Sequence, residues 1–412
     1  MAAPLMQGAL EGVRVLDLSR ILAGPWCAQN LADLGAEVIK IERPKVGDDT
    51  RSWGPPWLPD GKGEDSRDAT YFAGANRGKQ SVTLDIASPQ GQAIIRDLAA
   101  KSHILLENYK VGDLKRYGLD YESLKAINPS LVYCSITGYG QEGPCAHKPG
   151  YDFIFQGLGG LMSITGERDD LPGGGPQKVG VAVVDIFTGM YATVAVLAAL
   201  RHAERTGQGQ RIDMALLDAV VAVGSTPIIA ERVTGKPMGR YGNAHPNMVP
   251  YHVFATGDGY MIVAAGNDGQ WQAYCRGVER PDLACDQRFR TGPDRLINRE
   301  TLVPILEAHM RTRPTAHWVE ALEREGIPCG PINDYKQVLE DPQVRYRELQ
   351  VDLVRCDGAI CPTVKSPLRL SQTPVRYDTP PPRLGEHTSR VLQRVLGMSE
   401  ARISALKEDG VI

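Results

Sequence analysis

The chain lacks most of the signatures by which a 412-residue sequence declares its chemistry. Its eight cysteines form no CxxC pair and no Cys/His metal spacing. That removes a zinc or dithiol reading and, at this low density, a disulfide framework. HExxH, GxSxG and a Walker A loop are all missing, so zincin, serine-hydrolase and NTPase readings lack support. Charge is nearly balanced at −3, which gives no electrostatic reason to expect nucleic acid or an anionic membrane as partner. Apolar stretches stay below membrane-spanning length. Residues 1–12 have neither the basic nor the apolar region of a signal peptide. Reduced thiols in a cytoplasmic setting are the expectation.

GxGxxG is absent too. The first strand–helix turn reads Leu22-Ala23-Gly24-Pro25, and its proline removes a backbone donor that a pyrophosphate site would use. An NAD enzyme is therefore disfavoured, although Glu42 ends the second strand as a ribose-binding acid would.

What is present is an α/β pattern. Hydrophobic residues at 42% and charged residues at 23% are ordinary for a soluble protein, and the length suits two domains. Short apolar strands are expected at 12–18, 36–41, 81–86, 103–107 and 131–137, with helices at 26–34, 89–101 and 113–127. Such alternation predicts a parallel sheet with right-handed crossovers. A buried helix at 191–202, a strand at 211–214 and a helix over Leu216–Val223 follow. The boundaries drawn are a large domain over 1–224, a smaller loop-rich one over 225–330 and a return segment over 331–412.

One carboxylate stands out. Asp185 lies between Val181-Ala182-Val183-Val184 and Ile186-Phe187, although ionised carboxylates are rarely buried without partners. It falls where a loop meets a helix start, so a helix N-cap is the competing, purely structural role. Upstream, 150–166 is apolar and glycine-rich beside Tyr151, Asp152 and Gln156, which suits a ligand-facing wall or close helix packing. Arg43, Arg51, Lys110, Arg116 and Lys148 are the cations available to an anionic ligand. Arg43 and the Asn108-Tyr109-Lys110 run follow strand ends, where open α/β sheets bind ligands. The loop 266–269 reads as a turn or a lid.

Together these residues resemble the class III CoA-transferase family, which includes formyl-CoA and carnitine CoA-transferases. The likeness is carried by the 5–25 segment around LEGVRVLDLSRILAGP, by GAEVIKIER at 35–43 and GDDTR at 47–51, and by NRGK at 76–79. ENY at 107–109, SITGYG at 135–140 and TGQGQ at 206–210 continue it through the chain. GDDTRSWGPP, YCSITGYGQ, AHPNMVPY and GPIND look most like its succinyl-CoA:glutarate branch.

The resemblance implies a Rossmann-like large domain formed by both chain ends, a smaller α+β domain and an interlocked homodimer. It implies CoA transfer from an acyl-CoA, here succinyl-CoA, to a dicarboxylate, here glutarate. The route runs through an aspartyl-acyl anhydride and an aspartyl-CoA thioester, with CoA as substrate and no metal or further cofactor. The family's nucleophile falls on Asp185. Its CoA-binding positions fall on Arg43, Asn108, Tyr109 and Arg116, with Arg20, Ile21, Leu22 and Ala23 beside the thioester. The substrate-pocket candidates are Tyr151, Gln156, Gly266 and Asn267, with Arg51, Lys148 or Arg240 for a remote carboxylate. Where formyl-CoA transferase has consecutive glycines and a glutamine, this chain has Asn267, Asp268 and Leu22.

A free aspartate has a pKa of about 3.9, so Asp185 is expected to be ionised at neutral pH and to need no general base. Two other readings stay open. An α-methylacyl-CoA racemase would use a His/Asp pair, yet Tyr151 precedes Asp152 where that reading wants histidine. A non-catalytic acyl-CoA-binding protein would be indifferent to loss of Asp185.

Overall fold

The computed structural model describes residues 8–412. Residues 1–7, on which the reading of the N-terminus partly rested, lie outside the described residues. The chain divides into two compact units. The first takes the chain up to Leu161, Val179–Ile229 and Arg345–Ile412; the second takes Met162–Lys178 and Ala230–Val344.

The first unit is built on strands β1 (Arg14–Asp17), β2 (Glu37–Glu42), β5 (Lys79–Thr83), β6 (Ile104–Glu107), β7 (Val132–Thr137) and β8 (Arg211–Ala215), with a small hairpin of β3 (Trp57–Pro59) and β4 (Asp65–Ala69) between β2 and β5. The six form one parallel sheet in the order β5-β2-β1-β6-β7-β8. Strands β1, β2 and β6 are buried along nearly their whole length, as expected of a parallel sheet covered on both faces. One layer packs Val15, Val38, Leu106 and Cys134 against helices Ala23–Asp33 and Val183–Thr206; the other packs Leu16, Ile39 and Leu105 against Ile95, Leu98 and Val391. The C-terminal segment closes the β5 edge, where the Gly385 amide bonds the Ser81 hydroxyl and the Thr83 amide bonds the Thr388 hydroxyl.

Local chemistry shifts several expected boundaries. The helix expected at 113–127 splits into a 3-10 turn, Lys115–Tyr117, and a short helix, Tyr121–Lys125, because Gly118 turns left-handed at φ +64°. The helix expected at 191–202 begins earlier and runs over Val183–Thr206. By length and hydropathy it is the one helix among the described residues able to span a bilayer, which corrects the expectation about apolar stretches. Half of its most apolar stretch is buried inside the protein. Gly189 lets it approach Ala23–Asp33, since a Cβ there would sit 2.7 Å from the Ala23 carbonyl oxygen.

The second unit is a three-stranded antiparallel sheet, β11-β10-β9, of β9 (Tyr251–Ala255), β10 (Tyr260–Ala264) and β11 (Cys329–Pro331). Helices around it bury Phe254, Trp271, Tyr274, Phe289, Leu302 and Trp318. Its membership differs from the sequence-based boundaries in three places, the first being that it resumes at Ala230 rather than at 225. Met162–Lys178 belongs to it because Arg240 pairs with Asp169, Arg168 with Glu300, and the Gly242 amide with the Gly166 carbonyl. The stretch from β11 to Val344 stays with it as well. The chain then returns to the first unit with a hairpin of β12 (Gln350–Val354) and β13 (Ile360–Val364).

Candidate active-site cleft

Strand order reverses between β1 and β6, and in open α/β sheets that switch point opens a crevice at the carboxyl ends of the strands. A cavity of about 180 Å³ lies there, lined wholly by the first unit. Arg20–Ala23 enters after β1, Asn108–Val111 after β6 and Ile136–Gly138 from β7. Ala146–Tyr151, Asp185 and Leu216 complete the wall.

The turn after β1 is fixed by charge buried beneath it. The Ser19 amide donates to Asp17 at 3.0 Å and its carbonyl accepts from Lys40 at 2.9 Å. Asn108 brackets Arg20, accepting from its amide at 2.8 Å and donating to its carbonyl at 2.6 Å. The Ile21 amide reaches Asp48 at 3.3 Å. Lys40 pairs with Asp48 at 2.9 Å and Lys79 with Asp17 at 3.0 Å, all four side chains being fully buried. Burial opposes ionisation of Asp48, but Lys40 and Thr50 hold its carboxyl down at about 2. In this frame Ile21 sits at φ +73°, a left-handed conformation that is an outlier for a β-branched side chain and clusters at functional sites.

Asp185 lies in the first turn of Val183–Thr206 but does not cap it. The preceding residue, Ala182, has no capping side chain. Asp152 caps the turn from another helix, Asp152–Leu158, accepting from the Val184 amide at 2.7 Å and the Asp185 amide at 3.2 Å. Gln156 braces it, donating to Asp152 at 2.7 Å and accepting from the Val179 amide at 2.8 Å. Asp185 is only 7% exposed, and no hydrogen bond or ion pair among the described residues reaches its carboxylate. Burial, then the Asp152 charge, pushes its carboxyl up to about 7. The expectation of a fully ionised group at neutral pH is thereby corrected: Asp185 titrates there.

The cleft gathers ten of the sequence-derived candidates: Arg20, Ile21, Leu22, Ala23, Asn108, Tyr109, Lys110, Lys148, Tyr151 and Asp185. Arg43 lines a small adjoining recess with Arg20 and Tyr109, and both arginines hold Asp49. Arg20 also lies over the Tyr109 ring at 5.2 Å. Arg116 is exposed, 3.7 Å from Asp113, and does not line the cleft. Gln156 is buried behind it as a brace.

Arg51 is not available to a substrate. It pairs with Glu42 through two N–H groups at 2.8 Å, bonds Asp68 and the Pro382 carbonyl, and lies over Phe72. Glu42, which resembled a ribose-binding acid, is consumed in the same pair. Arg240, Gly266 and Asn267 belong to the second unit; Arg240 holds Asp169, and Asn267 caps the helix Asp268–Gly277.

Sequence reasoning missed two residues and the role of a third. Asp152 had the same signal as Asp185, an acid opening an apolar run, but was not read as the cap. His147 lines the cleft. The Tyr71 phenol is pushed up by burial and then by Asp185 and Asp152, and its ring meets Trp53 edge-on at 5.1 Å.

The family model for CoA-transferase family III matches residues 10–388. The chain belongs to CoA-transferase family III. It is 47% identical to a succinate–glutarate CoA-transferase of Agrobacterium fabrum, covering 94% of this chain and 96% of that protein. A succinyl-CoA:glutarate CoA-transferase of Mus musculus is 43% identical, over 98% of this chain and 90% of that one. Among solved structures, a CAIB/BAIF family protein from Brucella suis superposes with a TM-score of 0.85 at 44% identity, covering 94% of this chain and all of that one.

Proposed function

We propose that this family III CoA-transferase moves CoA from succinyl-CoA to glutarate, with Asp185 as covalent nucleophile. One observation carries the reading: a buried carboxylate without a partner lines the cleft at the switch point. Ionised Asp185 attacks the thioester carbonyl, the C–S bond breaks, and CoA thiolate leaves an aspartyl-succinyl anhydride. The thiolate then attacks the aspartyl carbonyl, releasing succinate and leaving an aspartyl-CoA thioester. Glutarate displaces the thiolate to form an aspartyl-glutaryl anhydride. Return of the thiolate to the glutaryl carbonyl gives glutaryl-CoA and free Asp185.

In this reading Arg20, Arg43, Lys110 and Arg116 meet the CoA phosphates. Tyr109 holds the nucleotide end, Asn108 supports CoA binding by fixing the Arg20 backbone, and Ile21, Leu22 and Ala23 flank the thioester. Lys148, exposed in the cleft, is the remaining cation for the remote carboxylate beside Tyr151. No cofactor beyond CoA is required. An interlocked homodimer is supported by apolar side chains left exposed on the first unit, among them Phe153, Leu158, Tyr191 and Val194. The cytoplasmic setting rests on eight unpaired cysteines.

Purified protein with succinyl-CoA and a panel of C4–C6 dicarboxylates, read by LC–MS, tests the proposal. Glutaryl-CoA is expected from wild type, with Asp185→Ala slower by about a thousandfold or more. No new thioester, or an unimpaired Asp185→Ala, overturns it. His147 in the cleft keeps a racemase-type proton abstraction in view; α-deuterium uptake from D2O without acyl transfer would favour that chemistry instead.

A further inference from the structure

Two of the cations assigned above to the CoA phosphates already share a partner. Asp49 accepts from Arg43 at 2.5 Å and from Arg20 at 3.1 Å, one guanidinium on each carboxylate oxygen. Arg20 lies beyond the end of β1 and Arg43 beyond the end of β2, so the carboxylate bridges the ends of two paired strands. Of two positive charges it leaves a net one to attract a ligand. The recess that both arginines line is closed to about 10 Å³, room for about one water.

The fold does not depend on this bridge. Asp49 opens the turn Asp49–Ser52, whose backbone is fixed by other groups. Asp48 caps it, accepting from the Thr50 amide at 3.0 Å, and pairs with Lys40, while Arg51 pairs with Glu42. Arg20 is bracketed through its main chain by Asn108 and lies over the Tyr109 ring. The side chains of Arg20, Arg43 and Asp49 are 32%, 49% and 36% exposed, and pairs this exposed contribute little to stability. A phosphate carries charge in the geometry of the guanidinium fork and outcompetes a water-screened carboxylate for the same N–H groups.

We propose that Asp49 is a resident counter-ion, exchanged for CoA phosphate when substrate binds, and that this exchange sets acyl-CoA affinity. The inference rests on the transferase reading, in which Arg20 and Arg43 meet the CoA phosphates. Asp49 weakens CoA binding twice over: it competes for both guanidiniums, and it repels the phosphates that replace it. The consequence is faster release. The product acyl-CoA carries the same phosphates as the donor, and release of product limits turnover in many enzymes.

Isothermal titration of the full-length protein with CoA tests this without turnover. At 0.05 M salt Asp49→Asn, which removes the charge and keeps the shape, is expected to bind CoA about tenfold tighter than wild type. The gain should shrink to about twofold or less at 0.5 M salt, since it is Coulombic. Asp49→Glu, which keeps the charge, should bind as wild type does. Adding Arg43→Ala to Asp49→Asn should cancel most of the gain. Asp49→Ser removes the same charge and decides the matter should Asp49→Asn fail to fold. Equal or weaker CoA binding by the uncharged variants overturns the proposal and makes the carboxylate a strut. So does a gain that salt leaves untouched. Wild type that binds no CoA overturns it together with the transferase reading, whereas CoA binding by wild type without the gain overturns this inference alone.

Discussion

The nucleophile proposed for this reaction, Asp185, would have to be ionised to attack, and its surroundings oppose ionisation. With its carboxyl raised to about 7, kcat/KM for succinyl-CoA is expected to rise with pH and level off above a midpoint near that value. Asp152→Asn removes the second cause of the shift, so the midpoint should move to lower pH; an unmoved midpoint would assign the limb to another group. The same shift has a stability counterpart. A carboxyl raised in the folded state favours folding below its unfolded pKa of about 3.9, and that contribution is lost as pH rises to about 7. The loss is on the order of a few kcal/mol. Asp185→Asn, free of this titration, should therefore melt above wild type at pH 8 by a wider margin than at pH 5, while transferring no CoA. Such a trade is common where an active site stores unfavourable electrostatics.

At the scale of elements, the turn after β1 is what brings Arg20–Ala23 to the cavity that Asp185 lines. Its backbone is held by Asp17, Lys40, Asp48 and Asn108 rather than by its own sequence. Buried ion pairs contribute little net stability against apolar replacements, so their use here is geometric: they keep Ile21 left-handed. Asn108→Ala cuts both bonds to Arg20 and frees the turn. It should raise KM for succinyl-CoA about tenfold and also lower kcat, with a near-native melting curve. A change in KM alone would make Asn108 a binding contact and nothing more. None of this network was visible in the GDDTR and NRGK strings, because a buried role and a surface cation look identical until the fold sets depth. Arg51 shows the difference: its place in the sequence suits a substrate cation, and its depth makes it a partner of Glu42.

At the scale of the whole molecule, substrate charge and apolar surface make separate demands. Arg20, Arg43, Lys110 and Lys148 remain within reach of solvent at the cleft and its recess. KM for acyl-CoA should therefore rise between 0.05 and 0.5 M salt, as the shortening Debye length screens the attraction of exposed cations for the phosphates, while the Asp185 midpoint moves little. Sedimentation equilibrium checks the dimer: twice the chain mass is expected, and a stable monomer would leave the exposed Phe153, Tyr191 and Val194 without a role.

The sequence by itself determined the alternating α/β order, the membership in the CoA-transferase family, the strand ends that carry the cleft and the singular setting of Asp185. These follow from periodicity and from short motifs whose residues lie together in the chain. Only the tertiary structure decided that Asp152 does the capping, that Asp185 titrates near neutrality, that Arg51 belongs to the interior and that Met162–Lys178 joins the second unit. Each depends on burial and on partners far apart in sequence, such as Arg51 with Pro382 or Asp152 with Val184. Desolvation is a property of depth, and depth is set by the fold rather than by neighbours along the chain.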